Sequence, residues 1–469
     1  MSDAIDNENI QEINLETENI YFENTLTINR SGLTIAGSTE GGGTTLDGVN
    51  CQGNRFFSFG DNIDNVELNN LTFKNANSND AGAVFHFGEG NSNIILKNVT
   101  FDNNTAAANG GVIFSSTSAE EEENNNNIIF QEEIVFKNNA SELENVNFNG
   151  GAIYAEGTTM TFDGRTTFEG NTANRGAALF LAAGSTADFN SGINLLDNRT
   201  TAADSGAIHL EGDENRQAIV SVTQNDFANP TKLGGEGLSH NINTEGDINT
   251  GGNNVKNAIY LKSHSQLNFN LLSGNVDLYD VIRGDSPSDN NNNEMQSDNN
   301  NNEMKLEGQG GWFNVNQGGS IDGLTLTNNG GRLNLAADDV KLSLKNFTNS
   351  GHIKFCISPG GSCSKIEAEG LITLAQGTNI EIVPAPGIYN GEISHNIIES
   401  LGEAIDHNEV DPAFTMPYGM TVTRGFSEDG KSYQLTLEGE YSESPGTSGE
   451  NSGEAESTDN GNNSDASGN

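Results

Sequence analysis

Val66-Glu-Leu-Asn-Asn-Leu-Thr-Phe73 and Ile94-Ile-Leu-Lys-Asn-Val-Thr-Phe101 superimpose at a shift of 28 residues, with apolar positions on apolar positions and the second asparagine and the Thr-Phe pair identical. The match runs on downstream: Asn75 meets Asn103, Gly82 meets Gly110, Ala83 meets Gly111 and Val84 meets Val112. Within one unit Val66, Leu68, Leu71, Phe73, Val84 and Phe87 alternate with period two, interrupted at corners, and do not follow the 3.6-residue spacing of a helix. Three short strands per unit are expected. A single such turn of chain cannot bury its apolar side, but turns stacked on one another pair every strand in parallel and fill a continuous interior. The expected fold is all-β, a parallel β-helix.

Looser copies follow: Phe136-Lys-Asn-Asn139 leads to Gly150-Gly-Ala-Ile153, Phe168-Glu-Gly-Asn171 to Gly176-Ala-Ala-Leu179, and Leu195-Leu-Asp-Asn198 to Gly206-Ala-Ile208. Recurrence of this kind marks Phe-x-x-Asn and Gly-Gly-Ala-Ile as architecture, and no binding role is assigned to them. Asparagine at the corners Asn70 and Asn98 tolerates a left-handed backbone, and its amide can bond to its equivalent one turn away. The glycines let the chain turn inward without a Cβ clash. The acid and asparagine tract Glu120 to Asn127 is expected as an outside loop. The repeat is lost over 212–256, which are dense in Gly, Asn, Asp and Thr and are expected as either a long excursion or an irregular set of rungs, and strand alternation resumes at Ala258-Ile-Tyr-Leu261 and Leu267-Asn-Phe269. It continues through Leu324-Thr-Leu326, Leu333-Asn-Leu335, Leu342-Ser-Leu344 and Ile353-Lys-Phe355. Some fifteen rungs at about 4.8 Å each would make a rod on the order of 70 Å long.

Composition narrows the function classes. With 21 basic against 66 acidic residues the formal net charge is −45, so nucleic acid and anionic bilayers are repelled and no nucleic-acid partner is expected. No stretch approaches the roughly 18 apolar residues of a spanning helix. Residues 1–30 carry no basic leader followed by an apolar run. Three cysteines cannot form a disulfide framework, so packing and backbone hydrogen bonds must hold the fold.

The paired Phe-x-x-Asn and Gly-Gly-Ala-Ile/Leu/Val motifs of residues 66–210 resemble the passenger region of chlamydial-type polymorphic membrane proteins, which are autotransporter adhesins. The resemblance implies a right-handed β-helix displayed at a bacterial outer surface, attachment to host cells, and no catalytic residues. A second stretch, Ile382-Val-Pro-Ala-Pro-Gly387-Ile-Tyr389 through Ile397-Ile-Glu-Ser400 to Tyr433-Gln-Leu435-Thr-Leu437, resembles the end of an autotransporter passenger. With neither leader nor barrel read in the sequence, a passenger processed from a longer precursor is expected, displayed at the outer membrane or secreted. The expected organisation is an N-terminal cap (1–30), a repeat-bearing β-helix (31–211), an irregular excursion (212–256), a continuation (257–285), and an asparagine-rich disordered loop (286–304). A second continuation (305–387), a C-terminal cap (388–440) and a disordered linker (441–469) complete it.

Arg283-Gly-Asp-Ser-Pro287 matches the integrin-recognition sequence of fibronectin-type ligands and extends it beyond the minimal tripeptide. In such ligands the guanidinium pairs with an acidic pocket and the carboxylate completes a metal held by the receptor, with glycine as the flexible turn between them. Arg283, Gly284, Asp285, Ser286 and Pro287 are therefore the candidate receptor-binding residues, and Gly284 is the expected turn. They precede a twice-repeated Ser-Asp-Asn-Asn-Asn-Asn-Glu-Met at 288–295 and 297–304, expected to project from the core. The bland alternative is a strand end followed by a turn, with no receptor.

Cys356 and Cys363 enclose Ile-Ser-Pro-Gly-Gly-Ser, whose turn chemistry allows a local disulfide, and Cys51 is left as a buried thiol. Scattered histidines and unclustered carboxylates give no general acid-base pair, metal set or phosphate loop, so neither an enzyme nor a cofactor is expected. The expected function is a surface adhesin whose partner is a host-cell receptor, an integrin above all. The alternatives are a passive stalk and, behind it, a polysaccharide-active β-helix enzyme. Open ends of a rung stack also allow self-association by edge pairing.

Overall fold

The computed structural model of the chain describes residues 1–39, 42–117, 125–141, 148–235, 239–244, 255–285, 302–407, 413–415 and 419–442. Among these the strands fall into three sheets of 24, 15 and 8 strands, in which successive turns of chain lie side by side in parallel. The chain is a parallel β-helix. Ile94 pairs with Val66, Leu96 with Leu68, Val99 with Leu71 and Phe101 with Phe73, which is the register of the 28-residue sequence shift. Strand Asp64–Lys74 is long because it carries two of the rung's faces, bent in the middle at Asn70. Asn70 (φ 53°) and Asn98 (φ 49°) supply the bend from the left-handed region, and Asn98 Nδ2 donates to Asn70 Oδ1 at 2.9 Å.

Alternation puts like residues above like in the interior. The phenylalanines at this position stack from rung to rung, Phe73 (followed by Ala76 where the later copies have asparagine) on Phe101, Phe101 on Phe136 and Phe136 on Phe168, with centroids 5.4, 4.6 and 4.7 Å apart. The asparagine that closes each motif turns inward at the corner and is wholly or almost wholly buried. Asn139 is representative: its Nδ2 donates to Asn171 Oδ1 (3.0 Å) and to the Phe101 carbonyl (3.1 Å). Its Oδ1 accepts from both the backbone N–H and the Nδ2 of Asn104 (3.0 Å each). The ladder runs Asn104, Asn139, Asn171, Asn198, Asn241 and ends on Asp280.

Each member of the ladder must accept and donate, whereas the last member needs only to accept, which suits a carboxylate. Asp280 Oδ2 takes the N–H and the Nδ2 of Asn241 at 2.8 Å each, while Oδ1 lies 2.7 Å from His240 Nδ1. Burial pushes the Asp280 carboxyl pKa up, against the hydrogen bonds from Asn241 and His240.

The Gly-Gly-Ala corner has a separate reason for each glycine. The first lies at positive φ (Gly82 68°, Gly110 70°, Gly150 73°, Gly176 59°). The second admits a neighbour's backbone: a Cβ on Gly111 would sit 2.0 Å from the Gly151 carbonyl oxygen.

Several boundaries differ from the sequence reading. Residues 1–30 form a first rung, Glu12–Asn14, Asn19–Tyr21 and Leu26–Ile28, closed by the short helix Ser2–Ile5. Arg30 ties that helix down by donating to the Ile5 and Ile10 carbonyls. Between 212 and 256 the described residues form an irregular rung, not an excursion; 236–238 and 245–254 lie outside the described residues. Ala218–Gln224 pairs with Thr186–Phe189 and with Ser265–Leu271, and Thr231–Leu233 continues the same rung. Its inward residues Ala218, Val220, Val222 and Leu233 are buried, and Ala218–Gln224 alternates cleanly, buried and half-buried.

The Asn-rich insert ends earlier than 304. Glu303–Glu307 is a paired strand, with Asn302 and Met304 buried, because Met304 falls in register with Leu267. Of the Glu120–Asn127 tract, 120–124 lie outside the described residues, and Asn126 begins strand Asn126–Lys137, buried against Ser115.

The rung also changes along the rod. In the first half a two-residue strand such as Asn77–Ser78 adds a fourth segment, and the eight-stranded sheet made of these ends with Val255–Lys256. Beyond it three strands suffice, so Leu326 pairs with Phe347 after 21 residues instead of 28. Thirteen strands of the 15-stranded sheet run parallel, a rod of about 60 Å at about 4.8 Å per rung. The parallel stack ends where Gly387–Ser400 turns antiparallel to Ser432–Tyr441, which pairs in turn with Thr421–Phe426. No helix among the described residues is long and apolar enough to cross a membrane. Residues 443–469 lie outside the described residues.

Candidate functional site

Arg283 and Gly284 belong to strand Val281–Gly284 of the 15-stranded sheet. Arg283 stands between Tyr260 of the preceding rung and Asp322 of the following one, and Gly284 pairs with Leu261. The expected turn at Gly284 is therefore replaced by extended, buried strand. A Cβ there would lie 2.8 Å from the Gly323 carbonyl oxygen and 3.1 Å from Leu324 Cβ, so close packing, not turning, accounts for the glycine. Residues two apart on a strand share a face, so Arg283 and Asp285 both leave the outer side of the sheet. Ser286 and Pro287 lie outside the described residues.

Asp285 already has a partner. Its Oδ1 accepts from the Tyr260 hydroxyl at 2.5 Å, and its N–H donates to the Leu261 carbonyl at 3.1 Å. Burial raises the Asp285 carboxyl pKa, opposed by the Tyr260 hydrogen bond and the nearby Lys262 charge. Tyr260 ends an outer column of stacked rings, His86, Phe114, Tyr154, Phe180, His209 and Tyr260, with successive centroids between 4.9 and 5.4 Å apart. Parallel pairing places the same strand position of six rungs in this column, and edges rather than ring faces point outward.

Charged groups flank the column. Lys262 Nζ donates to Glu211 Oε1 at 2.6 Å, and the wholly buried His209 stands 3.6 Å from Glu211 through Nε2. His209 and Lys262 together hold the Glu211 carboxyl down to about 2, while burial lowers the His209 pKa. Close to Glu211, Tyr154 has its hydroxyl pushed up to about 12 by burial and by the charges of Glu156 and Glu211. Tyr260, Lys262 and Glu211 were missed as neighbours of the Arg-Gly-Asp motif. The signal that finds them is the alignment of Ile259-Tyr-Leu261 one rung before Ile282-Arg-Gly284.

The cysteines stand apart from this surface. Cys51, Cys356 and Cys363 are free thiols. The segment between Cys356 and Cys363 does form the tight turn expected, with the Ser364 N–H on the Cys356 carbonyl and the Cys356 N–H on Ser364 Oγ, both at 2.8 Å. Burial raises the pKa of both of these thiols. Among the described residues no group of three or more His, Cys, Asp and Glu side chains is arranged to hold a metal ion. Comparison of the chain with protein-family models and with curated proteins returned no match.

Proposed function

We propose that this chain is the rod of a bacterial surface adhesin that presents its outer sheet faces to a host-cell receptor. The observation that carries the reading is the division of labour in each rung. The two recurring motifs, Phe-x-x-Asn and Gly-Gly-Ala, are occupied by the interior and the corners, so the outward residues are free to differ from rung to rung. A stack of thirteen parallel strands is stiff along its axis and repeats one backbone geometry under a changing outer surface, as a display scaffold requires. The acidic surface keeps such rods apart in solution.

The receptor contact in this reading is Arg283 with Asp285, the receptor being an integrin. An integrin-held metal ion would have to draw the Asp285 carboxylate away from Tyr260, so Tyr260 acts as a brake on binding. The test is adhesion of integrin-bearing cells to immobilised protein. Native protein should hold cells, Asp285→Glu should not, and Tyr260→Phe should hold them at lower coating density. Adhesion that survives Asp285→Glu moves the contact to another face; no adhesion by any of the three proteins leaves the rod a passive stalk.

A further inference from the structure

The chain's single tryptophan lies in the second half of the rod, on the outer face of the 24-stranded sheet. Strands Phe313–Val315, Arg332–Leu335, His352–Ile357 and Asn379–Pro384 stack there in register, which brings Arg332 beside Trp312 and places His352 next in the same column. The backbone of Trp312 is clamped: its N–H donates to Asn275 Oδ1 at 2.9 Å, and its carbonyl accepts from the Val276 N–H at 3.0 Å. Arg332 Cζ lies 5.0 Å and Lys354 Nζ 4.2 Å from the indole centroid, and the His352 ring meets the indole edge-on at 5.0 Å.

The charges in this cluster do not cancel. Glu381 lies 3.2 Å from Lys354 Nζ and 3.0 Å from His352 Nε2, which takes up its charge. Among the described residues Arg332 has neither a carboxylate partner nor a hydrogen-bond acceptor. That is unexpected in a chain with 66 acidic side chains and only 21 basic ones. A guanidinium packed against an aromatic ring keeps its N–H groups in its own plane, free for a bidentate acceptor. Beside it opens a cleft of about 150 Å³, lined by Gln309, Gly330, Ser350, Gly351, His352 and Gly377 together with Arg332. A Cβ on Gly330 would meet nothing closer than Gln309 Nε2 at 3.7 Å, so the space beside it is open.

The geometry points to a binding site for a terminal carboxylated sugar, such as a uronic or nonulosonic acid at the end of a glycan. The carboxylate pairs with the Arg332 guanidinium, the hydroxyls meet Gln309, Ser350 and His352, and Trp312, which packs against Arg332 without lining the cleft, holds the guanidinium in place. One unpaired cation fits one carboxylate. The cleft is well below the roughly 300 Å³ of a drug-sized pocket, which matches a single sugar unit. A long polyanion is disfavoured by the net charge of −45. The site stands independently of any receptor contact at Arg283 and Asp285.

Because Trp312 is the only tryptophan and packs against Arg332, its fluorescence reports on ligand binding at Arg332 in the full-length protein. D-glucuronate and N-acetylneuraminate should each change the emission saturably, and glucose should not. Arg332→Gln should weaken binding about tenfold or more, as loss of a charge-assisted pair does. Gly330→Asn retains a residue type that tolerates φ +73° and fills the open space, so it should weaken binding with Arg332 untouched. Melting midpoints equal to that of the native protein establish that both variants are folded. No saturable change with either acid would overturn the assignment, as would acetate or sulfate binding as tightly as the sugars, or retention of native affinity by both variants.

Discussion

Replacing Asn139 by alanine tests whether the corner ladder holds the rod together. The wholly buried side chain makes four hydrogen bonds, two accepted from Asn104 and one donated to each of Phe101 and Asn171, at 3.0 to 3.1 Å. A buried hydrogen bond contributes about 1 kcal/mol net, and leaving the Asn104 N–H without an acceptor pushes the total upward. The expected loss is therefore about 4–5 kcal/mol, a large part of the 5–15 kcal/mol typical of a folded domain. Asn98→Ala is the control. Asn98 makes one exposed amide bond to Asn70, and alanine must also adopt its left-handed backbone, so about 1–2 kcal/mol is expected. Urea unfolding followed by far-ultraviolet circular dichroism measures both, with an unchanged m-value as the sign that the same unit unfolds. A cost below about 1 kcal/mol for Asn139→Ala, or equal costs at the two sites, would refute a structural role for the buried ladder.

Two further perturbations test other parts of the rung. Gly111→Ala drives a Cβ to 2.0 Å from the Gly151 carbonyl oxygen, so the rungs must separate; a loss of at least about 3 kcal/mol, or failure to fold, is expected in the same unfolding assay. For Glu211 the folded pKa lies below its ordinary value, so its contribution is present above pH 4.5 and is lost as the pH falls from 4.5 towards about 2. Melting midpoints between pH 6 and pH 2 should fall more gently for Glu211→Gln than for native protein, and parallel curves would remove Glu211 from the acid limb.

The way the rungs stack was legible in the sequence because a β-helix repeats itself. Once Val66 to Phe73 is set over Ile94 to Phe101, the pairing of every strand residue in those two turns follows, and the structure has that register. The corner role of Asn70 and Asn98 was legible for the same reason. The rung of Ala218–Gln224, Thr231–Leu233 and Ile242–Asn243 was not, since its connections differ in length from those of the rungs before it and its register is kept through its neighbours. Asn302 to Met304 were hidden inside a low-complexity tract, where composition says nothing of the single methionine that lands above Leu267.

The candidate sites divide along the same line. Arg283-Gly-Asp285 is a string of letters that any motif scan finds, but its conformation belongs to the sheet: pairing with Leu261 and crowding by Gly323 extend Gly284, and Tyr260 claims the carboxylate. Trp312, Arg332 and Lys354 are 20 and 22 residues apart in the chain, without a motif to connect them, and only the rung length brings them onto one indole. By itself the sequence determined the parallel stacking, the inward set and the corners, because alternation and periodicity are properties of neighbouring residues. The tertiary structure alone decided which outward side chains meet, because lateral neighbours on this surface are one full turn of chain apart and each turn sets its own length.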